Sequence, residues 1–219
     1  MRRNVIAAAV ALAALARTAP AQETATGWAN PAGFAAAARA AAALKTSATT
    51  TAETPATAPA VYTTASLLKM HRAELEALYK TLAPGPIPDG QSNGLASSDP
   101  GTTVGDISEG LFGLLWKGKV FDRAHGELIN RIGVGGAHLV AAKVFYGPSW
   151  LDGRPSVIVD YQETSRIAGF IRDEIREASP GVYYGFAYAR QPDGAAPRAD
   201  IVFALDFNGP QEKAASPAP

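Results

Sequence analysis

The sequence predicts a mainly-β α+β fold: a curved antiparallel sheet or barrel with helices before it and one helix inserted among its strands. Three observations point there. From Trp116 onward, WKGKVFD, HLVAAKVFY, SVIVDY, VYYGFAYAR and ADIVFALDF are rich in Val, Ile, Phe and Tyr and are punctuated by Gly, Pro and Asp, which is strand and turn chemistry. The connections are short, and Asp152-Gly153 is the strongest hairpin turn among them. The order of helices, strands, one helix and strands again lacks the helix between successive strands that a doubly wound parallel sheet requires.

The chain of 219 residues opens MRRNVIAAAVALAALARTAPAQ. Arg2 and Arg3 precede the short apolar run Val5–Leu15, and Ala19-Pro20-Ala21 supplies small residues for cleavage before Gln22; this is the layout of a secretory signal peptide over residues 1–21. The run is shorter than the ~20 residues a bilayer span needs, so no transmembrane segment is expected after its removal. Export to the periplasm or the extracellular medium follows. The alternative on the same residues is a retained N-terminal anchor. There is no Cys, which excludes lipoprotein attachment, thiol catalysis, iron–sulfur clusters and Cys-ligated zinc, and leaves stability to an ordinary core.

Residues 22–60 combine an Ala-rich stretch with the Thr/Ala/Pro segment TSATTTAETPATAPA, which buries too little apolar area to order itself and reads as a linker. Residues 61–208 form one domain, and 209–219 a disordered tail. The whole chain has 20 basic and 20 acidic residues; losing Arg2, Arg3 and Arg17 with the leader leaves a net charge of −3. With no basic block and no aromatic-plus-Arg module, nucleic acid is not an expected partner.

The first element of the domain is SLLKMHRAELEALYKTL. Ser66 is its N-cap, Leu68, His71, Leu75, Leu78 and Leu82 lie at helical spacing, and Pro84-Gly85 stops it. His71 sits on or beside the apolar stripe, where a packed boundary residue is the simpler account. APGPIPDGQSNGLASSDPGTT is then a long loop, either a lid or a disordered connection. A short helix, VGDISEGLFGLL, runs into the first strand. TSRIAGFIRDEIREAS is the inserted helix, with Thr164, Ile167, Ala168, Ile171, Ile175 and Ala178 as its buried stripe and Pro180-Gly181 as its end.

Strand alternation sorts the polar residues. Trp116, Gly118 and Val120 take one face of WKGKVFD, and Lys117, Lys119 and Phe121 the other. Lys143 and Phe145 oppose Ala142, Val144 and Tyr146. Asp160 lies with Ile158, and Tyr161 with Val157 and Val159. In IRDEIRE, a solvated charged face is the simple account; the sharper one turns Asp173 or Arg176 to the barrel mouth to pair with Lys119 or Asp160. Gly147–Leu151 lacks the second glycine of a nucleophile elbow and precedes a hairpin turn, which argues against a serine hydrolase. His71, His125 and His138 show no ligand spacing, and Gly133–Gly136 lacks the Lys-Ser/Thr of a phosphate loop, so neither a metal nor a cofactor is expected.

The pattern W116-K-G-K-V-F, N130-R-I, A142-K-V-F-Y-G-P-S-W150-x-D-G, D160-Y, R172-D-E-I-R and P180-G-x-Y-x-G resembles a family of small bacterial and fungal proteins that carries no established activity, over residues 111–207. It is similar, more loosely, to the GXWXG/DUF4334 proteins, which share the W-x-G-K-x-F stretch. That resemblance implies a lipocalin-like, calycin-type barrel, although W-x-G stands here where lipocalins have G-x-W. It carries over no catalytic residue.

A lipocalin-like barrel implies a small apolar or amphipathic ligand held at the barrel mouth. The expected contacts are Trp116, Tyr146, Trp150, Tyr161 and Tyr184, with Lys119, Asp160 and Arg176 as polar orienting groups. An enzyme on the same scaffold, an isomerase, cyclase or lyase, is the alternative, with Asp160 or Asp173 as catalytic base beside a Tyr or Lys. A cell-envelope interaction module without a pocket is the third. A cavity rather than a filled interior around Trp116 is the feature that separates them.

Overall fold

The computed structural model describes residues 61–103, 115–133, 136–191 and 195–210. The leader, the linker, the helix expected at 104–115 (all but its last residue) and the tail from 211 lie outside the described residues. Two short helices, α1 (Thr64–Leu68) and α2 (Arg72–Thr81), precede nine strands. These are β1 (Gly90–Gln91), β2 (Asn93–Ser97), β3 (Trp116–Asp122), β4 (Glu127–Ile132), β5 (Ala137–Pro148), β6 (Pro155–Asp160), β7 (Ile171–Ser179), β8 (Val182–Ala189) and β9 (Arg198–Asp206).

All strands join one antiparallel sheet in the order β1-β3-β4-β5-β6-β7-β8-β9-β2. Only Ser92 separates β1 from β2. One extended segment therefore pairs with β3 at its start and with β9 along the rest, and the sheet returns on itself as a nearly closed up-and-down barrel. Closure removes the unpaired edges that an open sheet would expose. Single extra residues at β3, Val140, Ala178 and Asp200 shift the register and supply the local bending that closure needs. The expected barrel is thus the observed one.

The segment expected to be a long loop is where that closing strand lies. Its small residues are required by packing. A Cβ on Gly94 would lie 2.5 Å from the Trp116 ring, and Gly118, at φ +125°, would drive one into the Ser92 carbonyl oxygen. The sequence therefore looks like a loop because Trp116 and the β3 backbone come so close.

The inserted helix is corrected to strand β7, preceded by turns over 162–170. Ile171 and Ile175 are four apart and fit either period. Strand pairing prevails because both faces of β7 are covered. Asp173 and Ile175 belong to the barrel interior, while Glu174 and Arg176, both 0% exposed, lie on the outer face. Tertiary burial overrides the helix preference of the Glu- and Arg-rich run.

The expected N-terminal helix is broken at His71, which is the N-cap of α2, its N–H held by the Glu74 carboxylate at 2.8 Å. Leu75 and Tyr79 of α2 pack on the outer face of β8 and β9 with Tyr184, Phe186 and Val202. Arg176 locks α2 to the sheet. Its guanidinium donates to Tyr79 O, to both Asp152 carboxylate oxygens at 2.7 and 2.8 Å, to Pro155 O, to Ser156 Oγ and to Arg154 O. Asp152 and Gly153 stand in the β5–β6 hairpin turn, as expected from their sequence.

The barrel has two unlike ends. At one, tight turns join β3 to β4, β5 to β6 and β7 to β8, and the segment before β1 crosses the opening. Tyr146 donates to Gly85 O at 3.0 Å and accepts from Ile87 N–H at 2.9 Å, and Tyr183 donates to Pro86 O at 2.8 Å. From the other end β2, β6 and β8 run out into the longer connections to the next strands, of which 98–103, 115, 161–170, 190–191 and 195–197 are among the described residues.

Candidate functional site

Four polar side chains meet inside the barrel towards the end with the long connections. Lys119 Nζ donates to Asp173 Oδ2 at 2.8 Å, to Tyr161 OH at 2.6 Å and to Asn130 Oδ1 at 2.9 Å. Tyr161 OH donates to Asp173 Oδ2 at 3.1 Å and accepts from Asn130 Nδ2 at 3.0 Å. Trp116 Nε1 donates to Asn130 Oδ1 at 3.1 Å. All five residues are at most 6% exposed.

Two backbone irregularities make this convergence possible. In β3, Lys117 and Gly118 together occupy one register step against β4, so Trp116 and Lys119 both reach Asn130. Simple alternation had placed them on opposite faces. In β5, Val140 is the extra residue and adopts φ +62°, a left-handed conformation in which a β-branched side chain is strained. Its carbonyl accepts from Asn130 Nδ2 at 2.9 Å, and this fixes the amide so that Oδ1 points at Lys119 and Trp116.

Electrostatics keep the donors protonated. Burial pushes the Lys119 ammonium down, but the Asp173 carboxylate and the Tyr161 hydroxyl outweigh it and hold its pKa above the ordinary lysine value. The Trp116 and Phe203 ring centroids lie 5.5 and 5.3 Å from Nζ and favour the cation further. Burial, reinforced by Asp173 and opposed by Lys119, pushes the Tyr161 phenol up to about 12. Lys119 is thus held as an ammonium and Tyr161 as a neutral phenol beside the Asn130 amide.

Around Trp116 the interior is filled, so the cavity expected there of a binding barrel is not found among the described residues and a ligand site built on Trp116 is ruled out. Its ring packs edge-on against Phe203 at 5.8 Å and covers Gly94. Among the described residues, a cleft of about 300 Å³ lies at the β7–β9 side of the end with long connections, lined by Phe170, Ile171, Ala187, Tyr188, Ala189, Arg190, Gln191, Arg198, Asp200 and Ile201. Ile171, Ala187 and Ile201 of this lining pack against the interior core. Asp173 adjoins them: it is two residues from Ile171 on β7 and pairs in register with Ala187 on β8.

Of the residues expected to form a site, Trp116, Lys119, Tyr161 and Asp173 come together. Tyr146 holds the segment across the opposite end. Tyr184 lies on the outer face beneath the helices and donates to Leu75 O at 2.9 Å, and Arg176 is fully engaged in the clamp on α2. Asp160 is paired with Arg190 at 2.7 Å, and the half-exposed Trp150 lies between the Arg172 and Arg190 guanidinium groups, so neither joins the interior set. Asn130, Phe203, Ile171, Ala187 and Ile201 were not anticipated. An Asn in the middle of the apolar run LINRI was the signal available for Asn130. Among the described residues no cluster of His, Asp and Glu is suited to a metal ion, and no helix is long and apolar enough to cross a membrane.

No family model and no curated protein matches the chain. Among solved structures, a crystal structure of a protein from Thermomonospora curvata is similar at 24% sequence identity, covering 63% of this chain and 87% of that one, with a TM-score of 0.40. That likeness is too distant to carry fold or function.

Proposed function

We propose that the chain is an exported binding protein that holds a small apolar or amphipathic molecule at the end of the barrel with the long connections. The observation that carries this reading is a buried ammonium–carboxylate pair, Lys119–Asp173, set beside an apolar cleft. Burying such a pair costs several kcal/mol per ion before the mutual attraction offsets it, and apolar side chains of similar volume would do as well or better for stability. Buried polar sets kept at that cost are characteristic of functional sites. The cleft volume stands at the lower limit of small-molecule sites, which suits a compact ligand or one end of a longer one. Export rests on the leader at residues 1–21.

Native mass spectrometry of the protein purified gently from its own host tests the reading. The expected result is a reproducible added mass that disappears in Ile201→Trp, where an indole fills the cleft. A folded protein that carries no added mass and takes up no apolar probe overturns it.

A second reading, an isomerase or lyase, is favoured by one observation: Asp173, Lys119 and Tyr161 converge as a carboxylate base and two donors would. Incubating the released ligand with the protein and comparing its mass and retention before and after decides between binding and turnover.

A further inference from the structure

We infer that the molecule held in this cleft is an amphipathic anion, and that Arg198 receives its charged head. The inference rests on the binding reading and specifies its ligand class. It comes from sorting the polar residues of the lining by the hydrogen bonds they still have to give. Phe170, Ile171, Ala187 and Ile201 supply an apolar wall, which Arg190, Gln191, Arg198 and Asp200 share. Arg190 is a fixture: its Nη1 donates to Gly169 O at 3.1 Å and to Ile171 O at 2.9 Å, and its Nη2 to Asp160 Oδ2 at 2.7 Å. Gln191 Nε2 donates to Ala189 O at 3.1 Å. The Arg198 side chain makes a single hydrogen bond among the described residues, from Nη2 to Asp200 Oδ1 at 3.0 Å. A guanidinium carries a fork of N–H donors, and most of this one is still open.

Charge points the same way. The guanidinium groups of Arg190 and Arg198 line the cleft, with the Asp200 carboxylate as the acid among them. Asp200 pairs with Arg198, whereas Asp160, the partner of Arg190, stands on β6 and is not part of the lining. The wall of the cleft is therefore net positive, and an apolar recess screens that charge less than water does. An anionic head gains the field and the open Arg198 donors together. A neutral hydroxyl gains one hydrogen bond and no charge. An ammonium meets two guanidinium groups and a carboxylate already shared with one of them. The Arg198 side chain is 51% exposed, so it can turn from Asp200 to the head without stranding a buried partner. The Tyr188 hydroxyl is buried without a partner, but its ring packs with Phe186 on the outer face and the charges around it are Glu174, Glu76 and Arg72, so it is left out of the count.

Titration of the protein produced by its own host with octanoate, n-octanol and n-octylamine at roughly pH 7.5, where the acid and the amine are both charged, tests this by calorimetry. The probes share the chain and differ in the head: an anion, a neutral hydroxyl and a cation. Octanoate is expected to bind about tenfold more tightly than octanol, the lower end of the range for a hydrogen bond between charged groups because Arg198 is half in solvent, and octylamine more weakly than either. In Arg198→Gln the preference for octanoate over octanol is expected to disappear. Ile201→Trp, or Ala187→Leu if the first variant does not fold, is expected to abolish octanoate binding. Octanol or octylamine binding as tightly as octanoate overturns the inference and leaves the binding reading standing. A preference for octanoate that survives in folded Arg198→Gln also overturns it, since another group then holds the head. If no probe binds the folded protein, the binding reading and this inference fall together.

Discussion

Replacing Lys119 with Met and Asp173 with Leu, singly and together, separates a buried pair kept for stability from one kept for function. Lys119→Met strands the Asp173 carboxylate, whose side chain is 5% exposed, with Tyr161 as its one remaining partner. Breaking a buried pair from one side costs about 3–5 kcal/mol. Asp173→Leu leaves an ammonium still bonded to Asn130 and Tyr161 and near the Trp116 and Phe203 rings, so its loss falls near the lower limit, about 3 kcal/mol. The double variant removes both charges. Trp116, Asn130 and Tyr161 still satisfy one another, because Asn130 Oδ1 accepts from the indole and Asn130 Nδ2 donates to the phenol. Its stability is expected to lie between the wild-type value and about 4 kcal/mol above it.

Urea unfolding at pH 7, followed by tryptophan fluorescence, reads all four proteins. A domain of this size has about 5–15 kcal/mol in hand, so each single variant should lose a large fraction of it. The double variant should recover that loss. A double variant as unstable as the singles would refute the reasoning, because the pair would then be holding the barrel together.

Two further predictions concern the framework. Val140→Gly releases about 1–3 kcal/mol of backbone strain at φ +62° while giving up a half-buried side chain, so its stability should stay within about 1 kcal/mol of wild type; Val144→Gly, at a buried extended position of the same strand, should cost about 3 kcal/mol or more by the same unfolding assay. In Asp152, the hydrogen bonds from Arg176 hold the carboxyl below the usual range, against burial. A depressed carboxylate contributes stability that is present above its unfolded pKa of about 3.9 and is lost as pH falls through the lower folded value. Asp152→Asn should therefore lower stability at pH 7 by about 2 kcal/mol and flatten the acid limb below about pH 4, and an unchanged acid limb would show that the clamp does not titrate.

The strands that were legible in the sequence are those where alternation runs uninterrupted. In β6, Val157 and Val159, continued by Tyr161, belong to the interior core, while Asp160 pairs outside with Arg190. In β5, Ala142 and Val144 lie in that core, with Lys143 and Phe145 opposite. Alternation failed wherever a residue was inserted or both faces were covered. The β3 bulge brought Trp116 and Lys119 together, and β7 buries charge on both faces, so neither strand shows a clean polar side. The site was half legible for the same reason. Lys119, Tyr161 and Asp173 stand out as polar residues in apolar strands, whereas the two residues that set the geometry, Asn130 and Val140, act through a carbonyl and a backbone angle that no local pattern announces.

The placement of unfavourable features argues for the site independently of any ligand. The interior of the end crossed by Gly85–Ile87 is closed by neutral Tyr hydroxyl bonds to backbone, and the buried Arg176–Asp152 pair at that end lies on the outer face, where it clamps α2. At the other end stand a buried ion pair and, bonded to it through Asn130, a valine held in a conformation that glycine would adopt without strain. The ion pair plays no part in the strand pairing, and the bend at Val140 needs an extra residue but not a β-branched one. Each alone could be an accident of packing. Their connection through the two amide bonds of one asparagine means that the strained carbonyl orients the group that holds the ammonium, and the ammonium in turn holds Asp173 Oδ2. Two unfavourable features tied together through one side chain are what selection for a function would keep and selection for stability alone would remove.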